Sequence, residues 1–161
     1  MSTITAKVLF LVLLTAQLVH ADTMQWDGGG SDSLWSTAEN WSSDVVPTSV
    51  DDVLFDLQDA KSCLVSGNVA FQSLTVTSAH QGAIDLNGLV LTCASGNVHI
   101  AGGGVAWNGA TLVFTGSANQ LLTLPDTSQI GTISNQKSGG VLSMAFGTIS
   151  MRKLIAAAGT E

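Results

Sequence analysis

The chain has 161 residues, of which 45% are hydrophobic and 11% are charged, and its formal net charge at pH 7 is −7. Five Lys and Arg stand against twelve Asp and Glu, and the only adjacent basic pair is Arg152-Lys153. Nucleic acids and anionic membrane surfaces both require clustered basic residues, so we expect neither as a partner. A chain of this length holds one domain with a modest core.

The N-terminus has the pattern of a secretory signal peptide. Lys7 precedes an apolar stretch over residues 8–14, which is too short for a membrane helix of about 20 residues but suits a signal-peptide core of about 7–15. Val19 and Ala21 are the small residues placed three and one before a cleavage site. We predict that residues 1–21 are removed on export, with no membrane insertion afterwards; the alternative is a buried N-terminal helix.

Residues 22–56 are predicted to form an irregular N-terminal cap. This zone contains three of the four tryptophans, Trp26, Trp35 and Trp41, together with clusters of Gly, Asn, Asp and Ser that favour turns. Residues 53–55 read as the first strand.

Residues 57–161 are predicted to form the rungs of a β-solenoid. The β-type segments are short and separated by Gly, Asn and Ser, with almost no helical periodicity. They cover residues 62–65, 69–77, 83–86, 89–93, 98–101, 105–107, 111–115, 121–124, 132–134, 141–144 and 148–151. Such lengths favour an all-β, right-handed parallel β-helix with an N-terminal cap, and the alternative fold is a β-sandwich.

Internal repetition supports stacked rungs. Residues 66–69, Ser-Gly-Asn-Val, recur at 95–98 with an offset of 29, and residues 131–134, Gly-Thr-Ile-Ser, recur at 147–150 with an offset of 16. Because the two offsets differ, we expect irregular rungs with insertions at their corners.

The two cysteines, Cys63 and Cys93, leave two alternatives open. An exported protein meets conditions in which disulfides persist, so one alternative is a Cys63–Cys93 bridge. The other is a pair of buried free thiols, because sequence alone does not fix the geometry that a bridge requires.

Several motifs resemble the N-terminal module and rungs of large bacterial β-helix proteins that are secreted or displayed on the cell surface, including adhesin-like and autotransporter-passenger-like proteins. The resemblance is carried by Trp26, Gly28-Gly29-Gly30, Trp35-Ser36, Asn40-Trp41, Pro47 and residues 51–56, 112–120 and 133–141. It implies an extracellular or cell-surface location and a structural or adhesive role. Since such proteins usually have many more rungs, we also expect the chain to be truncated at its C-terminus.

Enzyme chemistry is not expected. The two histidines after the signal peptide, His80 and His99, have no metal-ligand spacing, and no catalytic constellation, cofactor or metal site is predicted. Two alternatives to a structural or adhesive role remain. One is a carbohydrate-binding module in which Trp26, Trp35 and Trp41 stack on sugar rings, and the other is a fragment of a β-helix polysaccharide lyase. The expected partners are surface polysaccharides or proteins of a host or neighbouring cell.

Overall fold

A computed structural model describes residues 21–58, 61–102, 104–125, 129–148 and 150–156. The predicted signal peptide, apart from Ala21, lies outside these ranges. The described parts of the chain are all-β except for one short 3-10 helix, Ala38–Asn40. No helix within them has the length and apolar character needed to cross a bilayer.

Fourteen strands are found in the described ranges. They are β1 (Thr23–Gln25), β2 (Asp52–Phe55), β3 (Cys63–Leu64), β4 (Val69–Phe71), β5 (Ser73–Val76), β6 (Ala83–Asp85), β7 (Val90–Cys93), β8 (Val98–Ile100), β9 (Gly104–Ala106), β10 (Thr111–Phe114), β11 (Gln120–Thr123), β12 (Gln129–Asn135), β13 (Leu142–Ala145) and β14 (Ser150–Ile155). Each of the eleven predicted rung segments overlaps at least one of these strands.

The strands stack into a β-solenoid of about five turns, or rungs. The first sheet has the order β1-β2-β5-β8-β11-β13, the second sheet β14-β12-β10-β7-β4, and the third sheet β3-β6-β9. Each strand is paired in parallel with the equivalent strand of the next rung. The predicted β-solenoid is therefore confirmed. The β-sandwich alternative is wrong, because sandwich sheets are antiparallel.

The register shows a rung period that the sequence repeats did not reveal. In the second sheet, Val69, Leu91, Leu112, Ile133 and Leu154 stand in one column, at spacings of 22, 21, 21 and 21 residues. The first sheet has spacings of 21 to 24 residues. The offsets of 29 and 16 therefore do not correspond to a turn of the solenoid.

The Ser-Gly-Asn-Val repeat instead marks a shared corner function. Its first copy precedes β4 in the second sheet, and its second copy precedes β8 in the first sheet. In both copies the Asn side-chain oxygen accepts a backbone N–H from the next rung: Asn68 from Val90 at 3.0 Å, and Asn97 from Leu121 at 2.8 Å. The motif therefore recurs because two different corners need the same hydrogen bond between rungs.

The predicted strand over residues 69–77 is two strands. The chain turns at Gln72 between β4 and β5, where the Gln72 N–H donates to the carbonyl oxygen of Asp51 at 2.8 Å. A solenoid face holds only about four residues, so an uninterrupted run of strand-forming residues must still bend at each corner. Periodicity did not indicate this bend, because alternation continues on both sides of it.

Candidate functional site

The three tryptophans predicted as ligand-binding residues are buried in one aromatic cluster. Trp26, Trp35 and Trp41 have exposed fractions of 0%, 2% and 0%. The ring centroids of Trp26 and Trp41 are 5.2 Å apart, those of Trp35 and Trp41 are 4.8 Å apart, and both contacts are edge-to-face. Phe55 of the first complete rung stacks on Trp26 at 5.8 Å. An exposed platform for sugars is therefore not formed, and the cluster seals the core where the solenoid begins.

Hydrogen bonds hold this cluster in place. The Trp26 indole N–H donates to the carbonyl oxygen of Lys61, and the Trp41 indole N–H donates to that of Trp35, both at 2.8 Å. Trp26 and Trp41 also form an antiparallel backbone bridge. The Trp35 indole N–H has no partner among the described residues. Two of the three indoles thus spend their polar edge on the backbone of the cap.

Acidic residues of the cap act as turn-building acceptors. Asp32 accepts the backbone N–H of Leu34 at 3.0 Å, the Thr37 hydroxyl at 2.9 Å and the Asn40 amide at 2.9 Å. The hydrogen bond from the Leu34 backbone, followed by that from Thr37, lowers the pKa of Asp32. The buried Asn40 in turn accepts the N–H of Gly30 at 3.0 Å. This network fixes the loop that carries Trp35.

Asp51 plays the same role at the other end of the cap. Its carboxylate accepts both the hydroxyl and the backbone N–H of Thr48, at 2.6 and 2.8 Å. Burial raises the pKa of Asp51, but these bonds and one from the backbone of Asp22 outweigh it, so the pKa is lowered overall. In the described parts of the chain, no group of three or more His, Cys, Asp and Glu side chains is placed to hold a metal ion.

His80 joins the aromatic cluster, which the sequence did not indicate. Its ring is 1% exposed and meets Phe55 edge-on at 5.2 Å. Neither ring nitrogen has a hydrogen-bond partner among the described residues. Burial lowers the pKa of His80, and the nearby backbone of Leu57 and carboxylate of Asp56 offset only part of that effect. The ring therefore serves as a neutral packing group.

Cys63 and Cys93 are free and buried, so the disulfide alternative is not formed. The register explains why. Cys63 lies in the third sheet opposite Ile84, whereas Cys93 ends β7 in the second sheet and pairs with Phe71 and Phe114. Burial raises the pKa of Cys63, and it raises the pKa of Cys93 to about 12. Both thiols are thus poor nucleophiles.

Gln120 was also missed by sequence analysis. It is 2% exposed, and its side-chain N–H donates to the carbonyl oxygen of Gly96 at 3.0 Å, while its side-chain oxygen accepts the Lys137 ammonium at 2.6 Å. Gln120 thereby ties three successive rungs together at one corner. No sequence signal distinguishes it from an exposed glutamine.

A groove of about 450 Å³ runs along the free edge of β4. It is lined by Trp35, Ser36, Val46, Pro47, Thr48, Ser49, Ser66, Gly67, Asn68, Val69 and Ala70. Because Trp35 is buried, the groove presents mainly hydroxyl groups, one amide and small apolar side chains. It offers no charged side chain for acid–base chemistry.

The two ends of the solenoid differ in closure and in charge. The tryptophan cluster closes the first end, whereas the last rung, β13 and β14, is paired on one side only. Residues 22–58 contain eight Asp and Glu and no Lys or Arg, while residues 129–156 contain three basic residues and no acidic one. The solenoid is therefore negative at its closed end and positive at its open end.

Comparison of the chain with protein-family models, with curated proteins and with solved structures finds no match.

Proposed function

We propose that the chain is a non-enzymatic structural or adhesive module of a secreted or cell-surface protein, built as a capped β-solenoid. The observation that carries this proposal is the placement of Trp26, Trp35 and Trp41, which close the first rung instead of facing solvent. The most conspicuous residues of the sequence thus have a scaffolding task. A terminal cap of this kind is what a solenoid needs in order to exist as a soluble unit.

The titratable and nucleophilic groups support the same proposal. His80 packs as a neutral ring, the thiols of Cys63 and Cys93 are buried, and Asp32 and Asp51 are occupied by hydrogen bonds of the cap. A polysaccharide lyase would instead need a basic side chain and a carboxylate-bound cation facing a groove. Here the β4 groove is lined by uncharged residues.

The outer surface suits presentation outside a cell. Outward positions of the first sheet include Thr23, Ser73, Thr75 and Ser143, whose neighbours along each strand point into the core. Hydroxyl groups and an acidic net charge keep an elongated surface soluble. The predicted signal peptide over residues 1–21 supplies the route of export, and the resemblance to bacterial surface β-helix proteins agrees with this role.

The test is to express the whole 1–161 chain in a host that exports proteins and to recover the product. We expect mass spectrometry to find Asp22 at the N-terminus, circular dichroism to show β structure, and a glycan array and a uronate-lyase assay to be negative. Export with specific protein adhesion would support the adhesive form of the proposal. Retention inside the cell, or lyase activity of the folded product, would overturn the proposal.

A matched pair of variants separates the carbohydrate-binding alternative. Ser66→Ala alters the wall of the β4 groove, and Gln81→Ala alters an exposed residue away from it. If wild type binds a glycan and only the Ser66 variant loses it while remaining folded, the module is a carbohydrate binder and the structural proposal is wrong.

A further inference from the structure

The open end of the solenoid leaves a core column unfinished. Leu91, Leu112 and Ile133 stand above one another with exposed fractions of 1%, 2% and 0%. The next residue of this column, Leu154 in β14, is 52% exposed. The tail surface, which we define as β13, β14 and Val141, therefore presents apolar side chains beside two unpaired strand edges, an arrangement that favours association with another chain.

The closed end has free edges in the same two sheets. Its outermost strands are β1 in the first sheet and β4 in the second, as β13 and β14 are at the tail. The third sheet is closed there, because Leu34 bridges Leu64 in parallel, and no strand of that sheet follows β9 in the described residues. Ser42 N–H already meets the outer edge of β1 at Gln25, so β1 is open only toward Thr23.

The segment over residues 44–50 adds apolar surface to this end. It borders the β4 groove through Val46 and Pro47, and its Val45 and Val50 are 49% and 37% exposed. We define β1, the edge of β4 and residues 44–50 as the head surface. Head and tail thus both combine exposed apolar side chains with free edges of the first and second sheets.

Charge selects which surfaces meet. The head region, residues 22–58, has eight acidic residues and no basic one, and residues 129–156 at the tail have Lys137, Arg152 and Lys153 and no acidic one. Head-to-head and tail-to-tail contacts bring like charges together, whereas head-to-tail contacts pair opposite charges. Arg152 and Lys153 are exposed in β14 and lie beside Leu154.

We propose that the tail surface binds the head surface of a second copy of this chain, so that copies associate head to tail. The contact continues the first and second sheets from one copy into the next and covers Leu154. A head-to-tail contact is heterologous and does not close on itself without a rotation, so it builds linear stacks. The inference rests on the two ends of the solenoid and does not depend on the proposed surface role.

The experiment is sedimentation velocity on the exported product of the 1–161 chain, over a range of protein concentrations and at low and high salt. We expect a concentration-dependent series of oligomers that weakens as salt rises, because the opposed charges are screened. Val45→Lys on the head and Leu154→Lys on the tail each reduce the association constant by about tenfold or more, as expected when half-exposed apolar groups fail to be covered.

Leu121→Lys is the matched control, since Leu121 is 38% exposed on the side of the solenoid. We expect it to leave association unchanged, and circular dichroism and thermal melting establish that each variant is folded. Val45 lies in an exposed loop, so its variant keeps the test valid if Leu154→Lys does not fold. A monomer at all concentrations, a dimer that responds to Leu154→Lys and not to Val45→Lys, or an equal response to Leu121→Lys would overturn the proposal.

Discussion

Replacing Trp41 with alanine removes the central ring of the cap. Trp41 is fully buried and lies 5.2, 4.8 and 5.9 Å, centroid to centroid, from Trp26, Trp35 and Phe55. Truncating a buried tryptophan costs about 3–5 kcal/mol. The lost hydrogen bond to the Trp35 carbonyl, 2.8 Å long, adds about 1 kcal/mol. We therefore expect a loss of about 4–6 kcal/mol, a large share of the ~5–15 kcal/mol available to a domain.

The assay is equilibrium unfolding in urea, followed by tryptophan fluorescence and by far-UV circular dichroism. Each rung contacts only its neighbours, so loss of the cap exposes the first rung and lets unfolding begin there. We expect a lower midpoint and, for Trp41→Ala, fluorescence that changes before circular dichroism. Leu121→Ala, on the exposed side of β11, is the control with a change within about 0.5 kcal/mol. A loss below about 1 kcal/mol for Trp41→Ala would refute the sealing role of the cluster.

Three further predictions follow from single contacts. Burial lowers the pKa of His80 below its usual 6.5, so the unfolded chain takes up that proton first and stability falls as pH drops below about 6.5; thermal melts of His80→Phe should lose this dependence, and an unchanged pH profile would contradict it. Asn97→Ala removes the acceptor of the Leu121 N–H and should cost about 1–2 kcal/mol in urea unfolding, unlike Asn87→Ala at an exposed turn. Cys63 and Cys93 should react with a thiol reagent only after unfolding, and fast labelling of the folded protein would show that they are exposed.

The sequence determined the class of fold because strand formation and turn formation are local. Short β-branched runs bounded by Gly, Asn and Ser predicted the rung strands with errors of one to three residues at most ends. The Asn-Gly pairs at 87–88 and 108–109 both have positive φ, a backbone conformation for which these two residue types are suited. Exported character, the cap over residues 22–56 and the sealing function weighed for its tryptophans were likewise inferred from residue type and position.

Only the tertiary structure decided which residues face one another. Rung length follows from the backbone path around each corner, so the true spacing of 21 to 24 residues is carried by columns such as Leu91, Leu112 and Ile133, which share apolar character but no motif. Burial of His80 and Gln120, and the separation of Cys63 from Cys93 on different sheets, depend on contacts between residues some 20 or more positions apart. Local propensity carries no information about such contacts, because the same side chain is stable on either face of a strand until its neighbours in the adjoining rungs are in place.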